Sequence, residues 1–177
     1  MCIMERKSHE RKRALASGHW LIRDHLKPGD IGHLIYLHGT FYAQEYGYDQ
    51  TFEAYVADGL AEFVETYDPQ TDRLWLAECD GQIIGSVAIV GQLKRTAQLR
   101  WFFVHPTYHG RGIGKQLLSE ALGFCKEKKL KAVYLWTTSE LATARHLYKS
   151  AGFRKIEEDA HSAWGKAVVE EQYELLL

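Results

Sequence analysis

The stretch Val104-His105-Pro106-Thr107-Tyr108-His109-Gly110-Arg111-Gly112-Ile113-Gly114-Lys115 carries the strongest chemical signal in the chain. An apolar run over 99–104 feeds a proline-bearing turn, then a glycine-dense loop, then an amphipathic helix. A helix start leaves backbone N–H groups without intrahelical partners, and the helix dipole adds positive character there. Glycines at 110, 112 and 114 let that backbone approach a bulky anion closely, so the spacing predicts a phosphate or pyrophosphate guest. Two familiar phosphate loops do not fit. An ATP-binding G-x-x-x-x-G-K-[ST] ending at Gly114-Lys115 needs glycine at 109 and a hydroxyl residue at 116, where the chain has His109 and Gln116. The dinucleotide G-x-G-x-x-G fails because the three glycines are spaced two apart and Lys115 follows them.

Other chemistry-bearing residues are thinner in signal. His33 and His38 lie five apart, and His105 and His109 four apart, but neither pair has a third ligand nearby and no H-E-x-x-H occurs. No metal is expected. Cys2, Cys79 and Cys125 are odd in number and lack ligand spacing, so they read as reduced thiols, the last two as core fillers.

The elements that must position the loop follow from periodicity. Residues 20–25 suit a short strand; Pro28-Gly29-Asp30 opens a helix with Asp30 as its N-cap. Ile31, Leu34, Ile35, His38, Phe41, Tyr42 and Glu45 share one stripe of that helix. After a break at Tyr46-Gly47-Tyr48-Asp49, a second helix keeps the i, i+3, i+4 rhythm from Phe52 to Tyr67. Strands over 74–79 and 82–90 flank Asp80-Gly81, which favours a tight hairpin. A third strand, 96–104, leads into the glycine loop. The helix after the loop buries Ile113, Leu117, Leu118, Ala121, Leu122 and Cys125. A strand over 132–137 precedes a helix capped by Thr138-Ser139 and closed at Gly152, a left-handed position. Strands over 153–159 and 168–177, joined by 161–166, finish the chain. The order is β-α-α-β-β-β-α-β-α-β-β, an α/β (α+β) layer structure with helices on both faces of a mixed sheet.

At 177 residues and 46% hydrophobic content, one soluble domain over 19–177 is expected, preceded by a basic leader over 1–18, disordered or loosely helical. The formal net charge of −1 gives no overall field for nucleic acid, and no apolar run reaches membrane-spanning length. The leader lacks an apolar signal core, which points to the cytoplasm.

The element order and three motifs resemble the GCN5-related N-acetyltransferase (GNAT) superfamily. These are the strand-loop-helix with His109-Gly110-Arg111-Gly112-Ile113-Gly114, similar to the family's [QR]-x-x-G-x-[GA], the strand 133–137 with its following helix, and Ala144-Arg145-His146-Leu147-Tyr148-Lys149-Ser150-Ala151-Gly152-Phe153, similar to A-x-x-L-Y-x-x-x-G-F. Histidine at 109 departs from the family's Gln or Arg. A closer likeness, to the acetyltransferase half of MarR–GNAT fusion proteins, rests on His38-Gly39, Tyr42-Ala43, Glu45-Tyr46-Gly47, Leu135-Trp136-Thr137 and His161-Ser162-Ala163-Trp164-Gly165.

The resemblance implies acetyl-CoA as cofactor and transfer of its acetyl group to a primary amine of a small molecule or protein. It implies that the strand before the loop splays from the next parallel strand and that backbone at Phe102, Phe103 and Val104 meets the pantetheine arm. The pyrophosphate would lie on His109, Gly110, Arg111, Gly112, Ile113, Gly114 and Lys115, with Ser139, Ala144 and Tyr148 also along the cofactor. Val104 N–H becomes the oxyanion donor and Tyr148 the general acid. The family's strand glutamate is absent: Gln98 and Arg100 stand in that region, leaving Glu45, His38 or a water chain as base, with Glu45 the residue named for the role. The acceptor pocket would take Tyr42, Tyr46, Tyr48, Trp101, His161 and Trp164. The expected state is a monomer or homodimer without membrane or nucleic-acid partners. The alternative is a CoA-binding sensor without turnover.

Overall fold

The computed structural model describes residues 19–177; the leader expected over 1–18 lies outside the described residues. The elements are β1 (Trp20–Arg23), α1 (Asp30–Tyr46), α2 (Gln50–Glu65), β2 (Arg73–Cys79), β3 (Gln82–Gln92), β4 (Thr96–Val104), α3 (Ile113–Glu127), β5 (Ala132–Thr138), α4 (Ala142–Ser150), β6 (Arg154–Ala163) and β7 (Lys166–Leu176). Single 3-10 turns, Leu93–Arg95 and Pro106–Tyr108, follow β3 and β4. The strands form a seven-stranded sheet in the order β1-β2-β3-β4-β5-β7-β6, with β4 and β5 parallel and the other neighbours antiparallel. This is the expected element order and a mixed sheet.

Alternation along β2 sends Leu74 and Leu76 to one side and Trp75 and Ala77 to the other, and all four are buried. A sheet apolar on both faces needs helices over both. Leu34, Leu37, Val56, Leu60 and Phe63 of α1 and α2 cover the first side. Ile113, Leu117, Leu118 and Ala121 of α3, with Tyr148 of α4, cover the second. The Asp80-Gly81 turn has φ of 51° and 74°, as its hairpin requires. Among the described residues no helix is long and apolar enough to cross a membrane.

Several local expectations are corrected. Asp30 is not a side-chain cap: Gly29 takes the cap position, and the Asp30 carboxylate turns back to Arg23 at 2.7 Å and accepts from Lys27 N–H. Phe124, rather than Leu122, completes the fully buried face of α3. Thr138 ends β5, and α4 begins after Leu141 with no side-chain cap. The last hairpin is longer than its sequence suggests, with β6 running to Ala163 and His161 paired with Val168 across the ladder. Its turn is Trp164-Gly165, with φ of 52° and 80°.

Two irregularities in β4 build the site. Its parallel ladder with β5 contains only Thr96↔Ala132, Ala97↔Val133 and Gln98↔Tyr134; beyond these both strands continue unpaired with each other. On its other edge, Ser86 pairs with Phe103 and Ala88 with Arg100, leaving Trp101 and Phe102 opposite Val87. That two-against-one count is a β-bulge, and Trp101 sits in it at φ 46°. A left-handed residue other than glycine costs about 1–2 kcal/mol. Ser86 Oγ donates to Trp101 O at 2.7 Å and holds the bulge. The bulge changes the faces: Leu99 packs on the α3 side, whereas Trp101 and Phe103 pack on the α1–α2 side, and Phe102 and Val104 turn to α3 and α4.

Candidate active site

Where β4 and β5 part, a cavity of about 410 Å³ opens between the two helical layers. One half is made of backbone. His105 N–H bonds Ile84 O at 2.8 Å, so strand alternation turns Val104 N–H the other way, away from β3 and into the gap. Gly110 and Gly112 have φ of 76° and 83°, which let the chain reverse into α3. No side chain caps α3, and its first internal bond runs from Gln116 N–H to Gly112 O. The N–H groups of Ile113, Gly114 and Lys115 therefore remain outside the helical ladder at the cavity wall. Gly114 is there for space: a Cβ would come within 3.3 Å of Phe102.

His109 lines this half, and its Nε2 donates to Val104 O at 2.7 Å, tying the loop to the end of β4. Gly110, Gly112, Lys115 and Ala144 also line the cavity. Arg111 does not; it stacks on Tyr108 at 5.0 Å. Ser139 is likewise outside the lining, donating its N–H to Val169 O. Tyr148 is buried at the cavity wall with its ring 5.7 Å from Phe102. Burial, reinforced by nearby Tyr42, pushes its hydroxyl well above the ordinary tyrosine range, so it stays protonated.

The other half is made of side chains from distant segments. Tyr42, Tyr46, Tyr48, Phe52 and Tyr55 come from α1, α2 and their junction, and Trp164 from the β6–β7 turn. Trp164 stands 4.9 Å from Tyr48, 5.0 Å from Phe52 and 5.8 Å from Tyr55. The turn is seated by Asp49 N–H donating to Trp164 O, and a Cβ at Gly165 would lie 2.8 Å from the Asp49 carboxylate. Lys166 fastens the same corner, donating to Tyr46 O at 2.9 Å and pairing with Glu140 at 2.6 Å. Burial pushes Tyr48 up to about 12. Trp101 is buried and lines the cavity as well.

Two acceptor-side expectations land elsewhere. Glu45 is exposed and does not line the cavity. His161 stands behind the wall, with Nε2 3.2 Å from Glu170 and Nδ1 3.2 Å from Asp159. Glu170 itself faces the cavity, and burial raises its pKa while His161 opposes that rise. Its place on β7 opposite Thr138 gave no sequence signal. His38 is 2% exposed and lines the cavity; its Nδ1 donates to Leu34 O at 2.8 Å and its Nε2 has no partner. Burial lowers its pKa to about 4, so the ring is neutral near pH 7.

The family model described as Acetyltransferase (GNAT) family matches residues 35–153. The chain belongs to this family. Among relatives of the GNAT protein, an Archaeoglobus fulgidus N-acetyltransferase is 32% identical over 49% of this chain and 63% of its own length. The N-acetylaspartate synthetase of Danio rerio is 34% identical over 54% of this chain and 35% of its own length. The matches thus leave more than a third of both relatives unspanned. A Salmonella typhimurium acetyltransferase solved with its cofactor acetyl-CoA superposes with TM-score 0.68 over 89% of this chain and 94% of that one, at 17% identity. At that identity it shows the shared fold.

Proposed function

We propose that this GNAT protein transfers the acetyl group of acetyl-CoA to a primary amine of a small molecule or protein by direct attack in a ternary complex. One observation carries the reading: the splayed β4–β5 gap, the uncapped start of α3 and the aromatic wall open into a single cavity. The residues present fit the cofactor. Backbone at Phe102 and Val104 offers a strand edge to its pantetheine arm. The N–H groups of residues 113–115, with Lys115 beside them, offer donors to its pyrophosphate.

Acetyl-CoA supplies an activated thioester. Val104 N–H donates to its carbonyl oxygen as negative charge develops there. A protonated amine has no lone pair to attack with, and its usual pKa is near ~10.4, so a proton must leave first. Glu45 is exposed, and His38 with its pKa near 4 is a poor base. Glu170 is better placed: it draws the ammonium and takes its proton, with His161 Nε2 3.2 Å behind it. The C–N bond would form and the C–S bond break, with Tyr148 O–H donating its proton to the departing sulfur and being restored by the second proton that the nitrogen gives up as it becomes an amide.

The likeness to the acetyltransferase half of MarR–GNAT fusions belongs to this reading, supported by His38 in the cavity wall and the Trp164-Gly165 turn. So do a single acetyltransferase domain over 19–177 preceded by a basic leader, a monomeric or homodimeric state, and a cytoplasmic setting, the last supported by the free, buried thiols of Cys79 and Cys125. Calorimetric titration with acetyl-CoA, followed by thiol release against a panel of amines, tests the proposal. Binding with amine-dependent release is expected; absence of binding refutes it.

A further inference from the structure

We infer that the acceptor is an amine that also carries a carboxylate, as an amino acid does, and that Arg100 receives that carboxylate. The inference rests on the acetyl-transfer reading above and names the substrate class of the same cavity.

Arg100 lines the acceptor half, and apart from Lys115 at the phosphate end it is the one Lys or Arg side chain in the described lining. Alternation along β4 turns Arg100 to the side opposite Leu99, the α1–α2 side, and the bulge that follows keeps Trp101 on that same side beneath it. Its guanidinium lies 4.5 Å from the Trp101 ring and 6.0 Å from the Tyr55 ring. Stacking on aromatic faces orients the planar fork but leaves its N–H donors unused. No Asp or Glu among the described residues lies within ion-pair distance of Arg100, although Arg23, Arg73 and Arg145 each have one.

Gly59 strengthens the inference. It stands inside α2, where glycine costs about 1 kcal/mol relative to alanine. An ideal Cβ there would lie 2.6 Å from Arg100 Nη2 and 3.2 Å from Trp101 Cζ2. The helix thus leaves out a side chain where the guanidinium rests. An oriented, half-buried guanidinium without a protein carboxylate suits a bidentate carboxylate from the ligand. Ring contacts continue from Tyr55 through Trp164 to Tyr48, beside which Glu170 raises the tyrosine's pKa by its charge. Opposite charges therefore stand at separated points of one aromatic wall: Glu170 for the ammonium and Arg100 for the carboxylate.

The test uses the full chain, acetyl-CoA and the proteinogenic L-amino acids, each paired with its α-carboxamide, with spermidine as a carboxylate-free amine. Thiol release should favour at least one free acid over its amide by about tenfold to a hundredfold in kcat/KM, the value of a charge-assisted hydrogen-bonded pair. Arg100→Gln should bring that acid down to the level of its amide while acetyl-CoA still binds, and Arg100→Lys should restore only part of the preference. Equal rates for acids and amides overturn the inference. So does faster transfer to spermidine, failure to acetylate any amino acid, or an equal loss on acids and amides in Arg100→Gln. Failure of acetyl-CoA to bind would instead remove the acetyl-transfer reading beneath it.

Discussion

The two halves of the cavity recognise their guests by different means. The cofactor half works through main chain: an unpaired strand edge at Phe102 and Val104, and helix-start N–H groups exposed by glycines at φ 76° and 83°. The acceptor half works through side chains: rings from α1, α2 and the β6–β7 turn, a carboxylate on β7 and a guanidinium from β4 beside its bulge. Backbone recognition constrains where side chains must be absent, and glycine spacing records it within a dozen residues. Side-chain recognition depends on which distant segments meet, and no local spacing records that. A cofactor common to a family suits the first device, and an acceptor that varies suits the second.

Tyr148 stands where the halves meet, between Phe102 and the Tyr42 side of the cavity, and the largest effect is expected there. Tyr148→Phe removes one hydroxyl and little packing. Thiol release under saturating acetyl-CoA should fall by about 10²–10⁴-fold, the usual contribution of positioned proton donors. Titration of acetyl-CoA should move far less, because the arm and pyrophosphate are held by backbone. A parallel loss of affinity and turnover would place the hydroxyl on the cofactor instead and blur the division.

The same division explains what could be read in advance. The glycine loop, the Asp80-Gly81 turn and β4 over 96–104 stood where the sequence put them, since each is a local backbone matter. Glu45 did not enter the cavity although it repeats the stripe of His38: helical period says which residues share a face, not where the covering layer stops. The bulge was invisible because β4 holds no glycine or proline to mark it, and a tryptophan at φ 46° opposes local preference. Trp164-Gly165 likewise lacks the usual Asn-Gly or Asp-Gly signature, so the sequence pattern alone reads 161–166 as a connection, whereas the ladder continues through His161 to Ala163. Glu170 and Arg100 are ordinary charged residues in strands until the sheet places them.

His38 offers a second way to separate the halves, through pH. Its folded pKa is lowered from 6.5 to about 4 by burial, so the unfolded chain binds the proton more readily. Its contribution to stability is complete above about pH 6.5 and is lost as pH falls towards 4, at about 1.4 kcal/mol per unit and roughly 3 kcal/mol in all. Urea midpoints at pH 7.5 and pH 5 should show this loss, and His38→Gln should flatten it. An unchanged slope in the variant would mean that other groups set the acid limit. In the cofactor half, Gly112→Val forces a β-branched residue to φ 83° and disturbs the exposed N–H groups. Acetyl-CoA should bind about tenfold more weakly, consistent with a strain of about 1–2 kcal/mol.

The smallest change expected is the most specific. Gly59→Ala adds one methyl group within α2, far in sequence from the glycine loop. Helix propensity favours the substitution by about 1 kcal/mol. Against that, the new Cβ must displace the Arg100 guanidinium from 2.6 Å, and the Trp101 ring at 3.2 Å gives little room. Arginine is long enough to swing aside, so the thermal midpoint should shift by only a few degrees in either direction. The fork would lose its orientation over Trp101, and KM for a carboxylate-bearing amine should rise several-fold while the acetyl-CoA titration stays as it was. If both ligands weaken together, α2 carries strain across the sheet and the two halves are mechanically one site. If neither changes, Arg100 settles elsewhere without loss, and the missing side chain at position 59 serves the packing of Trp101 alone.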